Sequence, residues 1–175
     1  MINTKKFENI SNKQRLEVEN IFYSSSTKSS FRSDDERTKF KYKYLDYYIE
    51  NYPDIFIVAV RDESVVGYIC GSPDSSKDIF LGESLSHYNL FRDEYLKYPA
   101  HLHINLCQSS RGLGLGSILI KKFENLVSLT SSGVHLLTSP IARNRSFYLK
   151  NHYNFEITKS FNNSEILLMG KLLSY

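Results

Sequence analysis

His101-Leu102-His103-Ile104-Asn105-Leu106-Cys107-Gln108-Ser109-Ser110-Arg111-Gly112-Leu113-Gly114-Leu115-Gly116-Ser117 is the stretch on which the reading of this chain turns. Its first six residues alternate polar and apolar, the period of a half-buried strand. Three glycines follow at alternating positions, and then Ile118, Leu119, Phe123, Leu126 and Val127 recur at helical spacing. The order is strand, glycine-rich turn, helix. Glycines remove the Cβ atoms that would hold a ligand off the backbone, and a helix start aims unpaired N–H groups at the same place, so the junction suits an anion. Two phosphate-binding patterns do not fit. A nucleotide P-loop needs Gly-Lys-Ser/Thr at the helix start, and here Gly116-Ser117 runs into Ile118. A dinucleotide fold needs G-x-G-x-x-G with an acidic residue about 20 residues on. The glycines here are spaced G-x-G-x-G, and Gly133 and Val134 stand where the acid belongs.

The composition frames that junction. A chain of 175 residues, 41% hydrophobic and 23% charged, has enough apolar sequence to bury its own core without a disulfide or metal. Lys and Arg number 22 against 19 for Asp and Glu, and a net charge of +3 is too small to imply a nucleic-acid or membrane partner. Cys70 and Cys107 lie in strand-like runs without C-x-x-C or metal-ligand spacing, which reads as buried thiols in a reducing compartment. The longest apolar run, Ile55 to Val60, falls far short of the ~20 residues of a membrane-spanning helix, and no apolar segment backs the charges of Met1-Ile2-Asn3-Thr4-Lys5-Lys6. A cytoplasmic protein is expected.

Outward from the junction, the pattern predicts one α/β domain over residues 1–175. Ile2 to Glu8 reads as an edge strand, and Ser11 caps a helix carrying Leu16, Val18, Ile21 and Phe22 that stops at Ser24-Ser25-Ser26. A second helix starts at Asp34-Asp35-Glu36, presents Phe40, Tyr44, Leu45, Tyr48 and Ile49, and ends before Pro53. That aromatic face reads either as packing against a sheet or as the wall of a substrate cleft. Ile55 to Val60 and Val65 to Gly71 form a hairpin turning at Asp62-Glu63-Ser64, and Ser72 to Pro99 is an irregular, partly helical insertion of the kind that shapes access to a site. After the glycine-rich helix, Val134 to Leu137 is a strand and Asn144 to Asn151 a short helix. Phe155 to Phe161 and Ile166 to Leu173 pair around Asn162-Asn163. Phe161 to Tyr175 is also a candidate edge for association, leaving monomer and homodimer both open.

Arg111-x-x-Gly114-x-Gly116, with Gly112 between, resembles motif A of the GNAT superfamily of acyl-CoA N-acyltransferases, whose signature is Gln/Arg-x-x-Gly-x-Gly/Ala. The order hairpin, motif-A strand, helix, strand, short helix and final hairpin is similar to that superfamily from about Ile55 onward. The resemblance implies a mixed central sheet of about six to seven strands, flanked by helices and splayed around the motif-A strand. It also implies acetyl-CoA as co-substrate, with no metal. The pyrophosphate of coenzyme A would lie on the loop Arg111, Gly112, Leu113, Gly114, Leu115, Gly116 and Ser117, and the pantetheine arm along Asn105, Leu106 and Cys107. Tyr98-Pro99-Ala100-His101-Leu102-His103-Ile104 and Gly133-Val134-His135-Leu136 resemble the branch containing the acetyltransferase-like domain of O-GlcNAc-processing enzymes, some of whose members bind acetyl-CoA poorly or not at all.

Asn144-Arg145-Ser146-Phe147-Tyr148-Leu149-Lys150-Asn151-His152-Tyr153 is similar to the superfamily's motif B, an Asn-led helix with a tyrosine followed by Gly-Phe. Amine attack on a thioester expels a thiolate that a tyrosine hydroxyl can hydrogen-bond and protonate, so Tyr148 is the catalytic acid that the resemblance implies, with Tyr153 the lesser candidate. Asn144 is carried over as a cofactor contact, although it stands closer to the tyrosine than the family's Asn does. The family's Gly falls at His152, a position for a left-handed turn. The ammonium form of an acceptor must lose a proton, and His101, His103 and Glu83 are the candidate bases.

Two functions stand beside each other on these residues. One is an N-acetyltransferase passing acetyl from acetyl-CoA to a primary amine of a small molecule or peptide by direct attack in a ternary complex. The other is a GNAT-like module that binds acyl-CoA or a protein without turnover. Acetylation of a protein or aminoacyl-tRNA asks for a basic groove that the modest net charge does not suggest.

Overall fold

Strand and helix signals resolve, in the computed structural model, into seven strands and six helices across residues 2–173. The strands are β1 (Ile2–Lys6), β2 (Ile57–Arg61), β3 (Ser64–Ser72), β4 (Ala100–Leu106), β5 (Gly133–Thr138), β6 (Phe155–Phe161) and β7 (Ser164–Leu172). The helices are α1 (Asn12–Ser25), α2 (Asp34–Lys41), α3 (Tyr47–Asn51), α4 (Ile79–Ser84), α5 (Leu115–Val127) and α6 (Arg145–Lys150). The strands form one mixed sheet in the order β1-β2-β3-β4-β5-β7-β6. Residues 1, 174 and 175, the ends of the expected domain and of the candidate edge from Phe161, lie outside the described residues.

The chain groups into two compact units, the residues up to Gly71 with His103–Phe123, and Ser72–Leu102 with the residues from Glu124 onward. In the first unit, Asp62 and Glu63 both hold positive φ, 49° and 64°, which is the two-residue turn that matches strand twist and joins β2 to β3. α1 is fastened to that turn through its own cap. The amide of Gln14 donates to Ser11 Oγ and the Gln14 carboxamide accepts from the Ser11 amide, and its Nε2 donates to Glu63 O at 2.9 Å. The Val65 amide donates to Glu17 Oε2 at 2.7 Å.

The second helix of the sequence is interrupted. Between α2 and α3 the chain makes a π-turn over Tyr42–Asp46, one residue wider per turn, and this resets which side chains face inward. Leu45, Tyr47 and Tyr48 are buried, while Phe40 and Tyr44 are half-buried. Packing against the sheet therefore accounts for the inner half of the aromatic face. A second correction concerns α5. Because it begins at Leu115, its buried apolar side chains are Leu115, Leu119, Ile120, Phe123 and Val127, and Ile118 is 46% exposed.

In the second unit, β5 pairs antiparallel with β7, and β6 with β7. Asn162 and Asn163 turn the last hairpin with φ of 47° and 61°. β4 and β5 pair in parallel at Ala100↔Val134 and His101↔His135.

β3 approaches β4 closely. The Cys107 amide donates to Val66 O at 3.0 Å, and a Cβ on Gly67 would strike Leu106 Cδ2 and lie 2.9 Å from Asn105 O. Leu106 can rotate away and a carbonyl cannot, so Gly67→Ala is expected to destabilise the protein by about 1 to 3 kcal/mol. Chemical denaturation checks this, and an unchanged midpoint contradicts the packing.

Candidate functional site

The end of β4 and the start of α5 are joined by a one-turn 3₁₀ segment, Gln108–Ser110, in which the Ser110 amide donates to Cys107 O at 3.0 Å. Arg111 returns the chain to extended geometry and donates its Nε to Leu106 O at 3.3 Å. Gly112 and Gly114 then both adopt φ +77°, a conformation that L side chains rarely take. The glycines are thus required by conformation and not by space, since a Cβ on either would meet nothing within 4 Å. That open volume lies directly over the backbone. The first helical bond of α5 runs from the Ile118 amide to Gly114 O at 3.3 Å, so the amides of Gly114, Leu115, Gly116 and Ser117 precede the intrahelical ladder. Those donors, the positive end of the helix and the open space over the glycines suit an anion. Ser110 contributes a further polar atom that sequence reasoning missed. Its hydroxyl is buried at the base of the loop with no hydrogen-bond partner among the described residues.

Of the three residues assigned to the pantetheine arm, each has a different commitment. The Cys107 amide is used by β3, as above. The Asn105 side chain donates to Tyr68 Oη at 2.8 Å, and the Leu106 carbonyl receives Arg111. Burial pushes the Cys107 thiol above its ordinary pKa, against the opposing pull of Arg61 and Arg111. Cys70 is wholly buried and pushed up much further for the same reason.

The candidate bases differ sharply in exposure. His103 is half-buried, with Nε2 3.0 Å from the hydroxyl of the fully buried Tyr48 and the Tyr44 ring edge-on at 6.4 Å. His101 is 1% exposed, its Nδ1 paired with Ser75 Oγ at 2.8 Å, and is therefore shut away from any acceptor. Glu83 is exposed.

In the second unit, α6 is preceded by Asn144, whose Oδ1 accepts from Thr138 Oγ1 at 3.4 Å. Tyr148 is buried between the rings of Phe147 and Tyr153, and that burial raises its hydroxyl pKa far above the usual value, so it keeps its proton at every physiological pH. The helix closes with the Tyr153 amide on Tyr148 O at 3.1 Å and the His152 amide on Leu149 O at 3.0 Å, while His152 sits at φ +70°. Histidine fills the left-handed position where glycine is usual. Tyr153, fully buried, donates its hydroxyl to Glu124 Oε1 at 3.0 Å, and Lys171 Nζ reaches the same carboxylate at 2.8 and 2.7 Å. Tyr153 is thereby held in a structural network. The signal that could have exposed it is an acid, Glu124, on the apolar face beside Phe123 and Val127.

Among the described residues no group of three His, Cys, Asp or Glu could hold a metal, and no helix is long and apolar enough to cross a membrane.

No protein-family model and no curated protein matches the chain. Solved structures do. A protein from Desulfovibrio desulfuricans assigned as an acetyltransferase of the GNAT family is 16% identical, with a TM-score of 0.67 over 98% of this chain and 99% of that one. An aminoglycoside 6'-N-acetyltransferase complexed with coenzyme A is 14% identical, with a TM-score of 0.67 over 97% and 96%. An N-acetyltransferase from Staphylococcus aureus Mu50 is 15% identical, with a TM-score of 0.58 over 99% and 98%. The chain has the GNAT fold.

The two cysteines make a direct test of this geometry. In the native protein a thiol reagent is expected to label Cys107 alone, with Cys70 reacting only after denaturant is added. Mass mapping that finds Cys70 labelled first would contradict the burial described.

Proposed function

We propose that the protein is an N-acetyltransferase that moves the acetyl group of acetyl-CoA to a primary amine of a small molecule or peptide. The observation that carries this reading is the loop of Gly112 and Gly114. Two left-handed residues there leave open space over a run of unpaired amides at the start of a 13-residue helix. The coenzyme A bound in the aminoglycoside 6'-N-acetyltransferase of the same fold supports the choice of ligand.

On this reading Arg111 to Ser117 hold the pyrophosphate through main-chain N–H groups, and the pantetheine arm runs along the end of β4 beside Asn105, Leu106 and Cys107. With the Cys107 amide given to Val66, Leu106 supplies the main-chain pairing on the other edge of β4. Asn144 contributes a cofactor contact from the start of α6. The acceptor nitrogen bonds to the acetyl carbonyl carbon as the carbon–sulfur bond breaks, giving an amide and the free thiol of coenzyme A. Tyr148 keeps its proton and offers it to the departing sulfur. His103 takes the proton that the ammonium loses, with Tyr48 fixing its ring.

Release of free thiol from acetyl-CoA across a panel of primary amines tests the activity. Tyr148→Phe is expected to lower kcat by about 10- to 100-fold while leaving coenzyme A affinity within twofold. A rate equal to that of the parent protein removes Tyr148 from the mechanism.

A further inference from the structure

The segment from Ser72 to Pro99 encloses a cavity of about 530 Å³, lined by Ser75, Asp78, Glu83, Tyr88, Arg92 and Tyr95 among others. That size falls within the range of small-molecule sites, roughly 300 to 1,000 Å³. The lining carries charges of both signs. Asp78 is buried and caps α4, accepting from the Leu81 amide at 3.3 Å, so its carboxylate is turned to the main chain. Glu83 and Arg92 are different. Both are exposed, both line the cavity, and neither forms an ion pair with the other or with any described residue.

Opposite charges sharing one cavity without neutralising each other present two separate points of attachment. A ligand bearing one charge satisfies one of them, and a ligand bearing both satisfies each with a charge-assisted hydrogen bond. The guanidinium is also fixed in advance. Asn89 Oδ1 accepts from Arg92 Nε at 3.1 Å and from Nη2 at 2.7 Å, and Asn89 Nδ2 donates to Gly82 O at 2.7 Å, which anchors the assembly to α4. Gly82 has no Cβ, and one placed there would come to 3.0 Å from Asn89 Oδ1. Holding a long, rotamer-rich side chain still before a ligand arrives lowers the entropy lost on binding. Ser75, Ser76 and Ile79 complete the lining with two aromatic residues, Tyr88 and Tyr95. Tyr95 gives its hydroxyl to Tyr88 O at 2.8 Å and stacks one ring face on His135, so its contribution to the lining is aromatic carbon.

We propose that this cavity binds a small zwitterion of the α-amino acid class, its carboxylate on Arg92, its ammonium on Glu83 and its side chain against Tyr88 and Tyr95. The inference goes beyond the acetyltransferase reading and does not depend on it, because no residue of the coenzyme A loop or of α6 takes part.

The test is a thermal-shift screen of the full chain against the twenty L-amino acids at ~10 mM, with calorimetry on the strongest. The same amino acid is then titrated as its amide, which lacks the carboxylate charge, and as its N-acetyl derivative, which lacks the ammonium. At least one amino acid is expected to bind saturably, and both derivatives about tenfold more weakly or worse. Arg92→Met should erase the preference for the acid over the amide, and Glu83→Gln the preference for the free amine over the N-acetyl form. Asn89→Ala should mimic Arg92→Met in part, although it removes no charge. All three sites are exposed, and circular dichroism confirms that the variants fold. The proposal is overturned if none of the twenty binds, if either derivative binds as well as its parent, or if the variants keep the original preferences.

Discussion

Two glycines at φ +77°, separated by Leu113, are the constraint on which this molecule depends. Residues 107–114 link β4 to α5 and pass through two positions at positive φ, a conformation that a Cβ makes costly. With glycine at both positions the turn is free of that penalty, and the helix starts directly from it through the Gly114 carbonyl. The same two substitutions that permit the turn leave its outer face bare. Local conformation and open space over the backbone are met by one choice of residue, and the positive end of the helix lies at the same place.

Several polar groups that a core would ordinarily exclude are held here by pairing with their neighbours. Glu124 is 8% exposed and receives both the Tyr153 hydroxyl and the Lys171 ammonium. His101 meets Ser75, and His135 Nδ1 donates to Tyr98 O at 2.5 Å beneath the stacked ring of Tyr95. Removing one member of such a set leaves a buried group unpaired, which is more damaging than never having placed it there. These networks fix β5, β7 and the 72–102 segment of the second unit, and they explain why His101, His135 and Tyr153 are structural despite chemistry that would serve a catalyst.

Where local chemistry decides the backbone, the sequence was legible. The Ser11 cap, both asparagine- and acid-led turns, the alternation of β4 and the left-handed position of His152 all depend on residues within a few positions of one another. The interrupted second helix was not legible, because a π-turn changes the phase of the burial pattern without changing its composition, and Phe40, Tyr44, Leu45 and Tyr48 read equally well on an unbroken helix. Nor were the partners of Glu124 and His101, since Lys171 and Ser75 lie 47 and 26 residues away and carry no local signature. The insertion from Ser72 onward failed for a related reason. Its cavity is built by Asn89 and Gly82 orienting Arg92, a three-residue arrangement with no periodicity to betray it. The glycine-rich turn was legible because Gly112 and Gly114 themselves set its conformation.

Calorimetric titration of coenzyme A into the full chain tests the central claim most directly, because the loop of Gly112 and Gly114 makes a commitment to binding that is separate from catalysis. The account predicts saturable binding at one site, weakened about tenfold or more by Gly114→Val, which fills the open volume and strains the turn. Absence of binding at coenzyme A concentrations of about 1 mM, or binding that Gly114→Val leaves untouched, would contradict it.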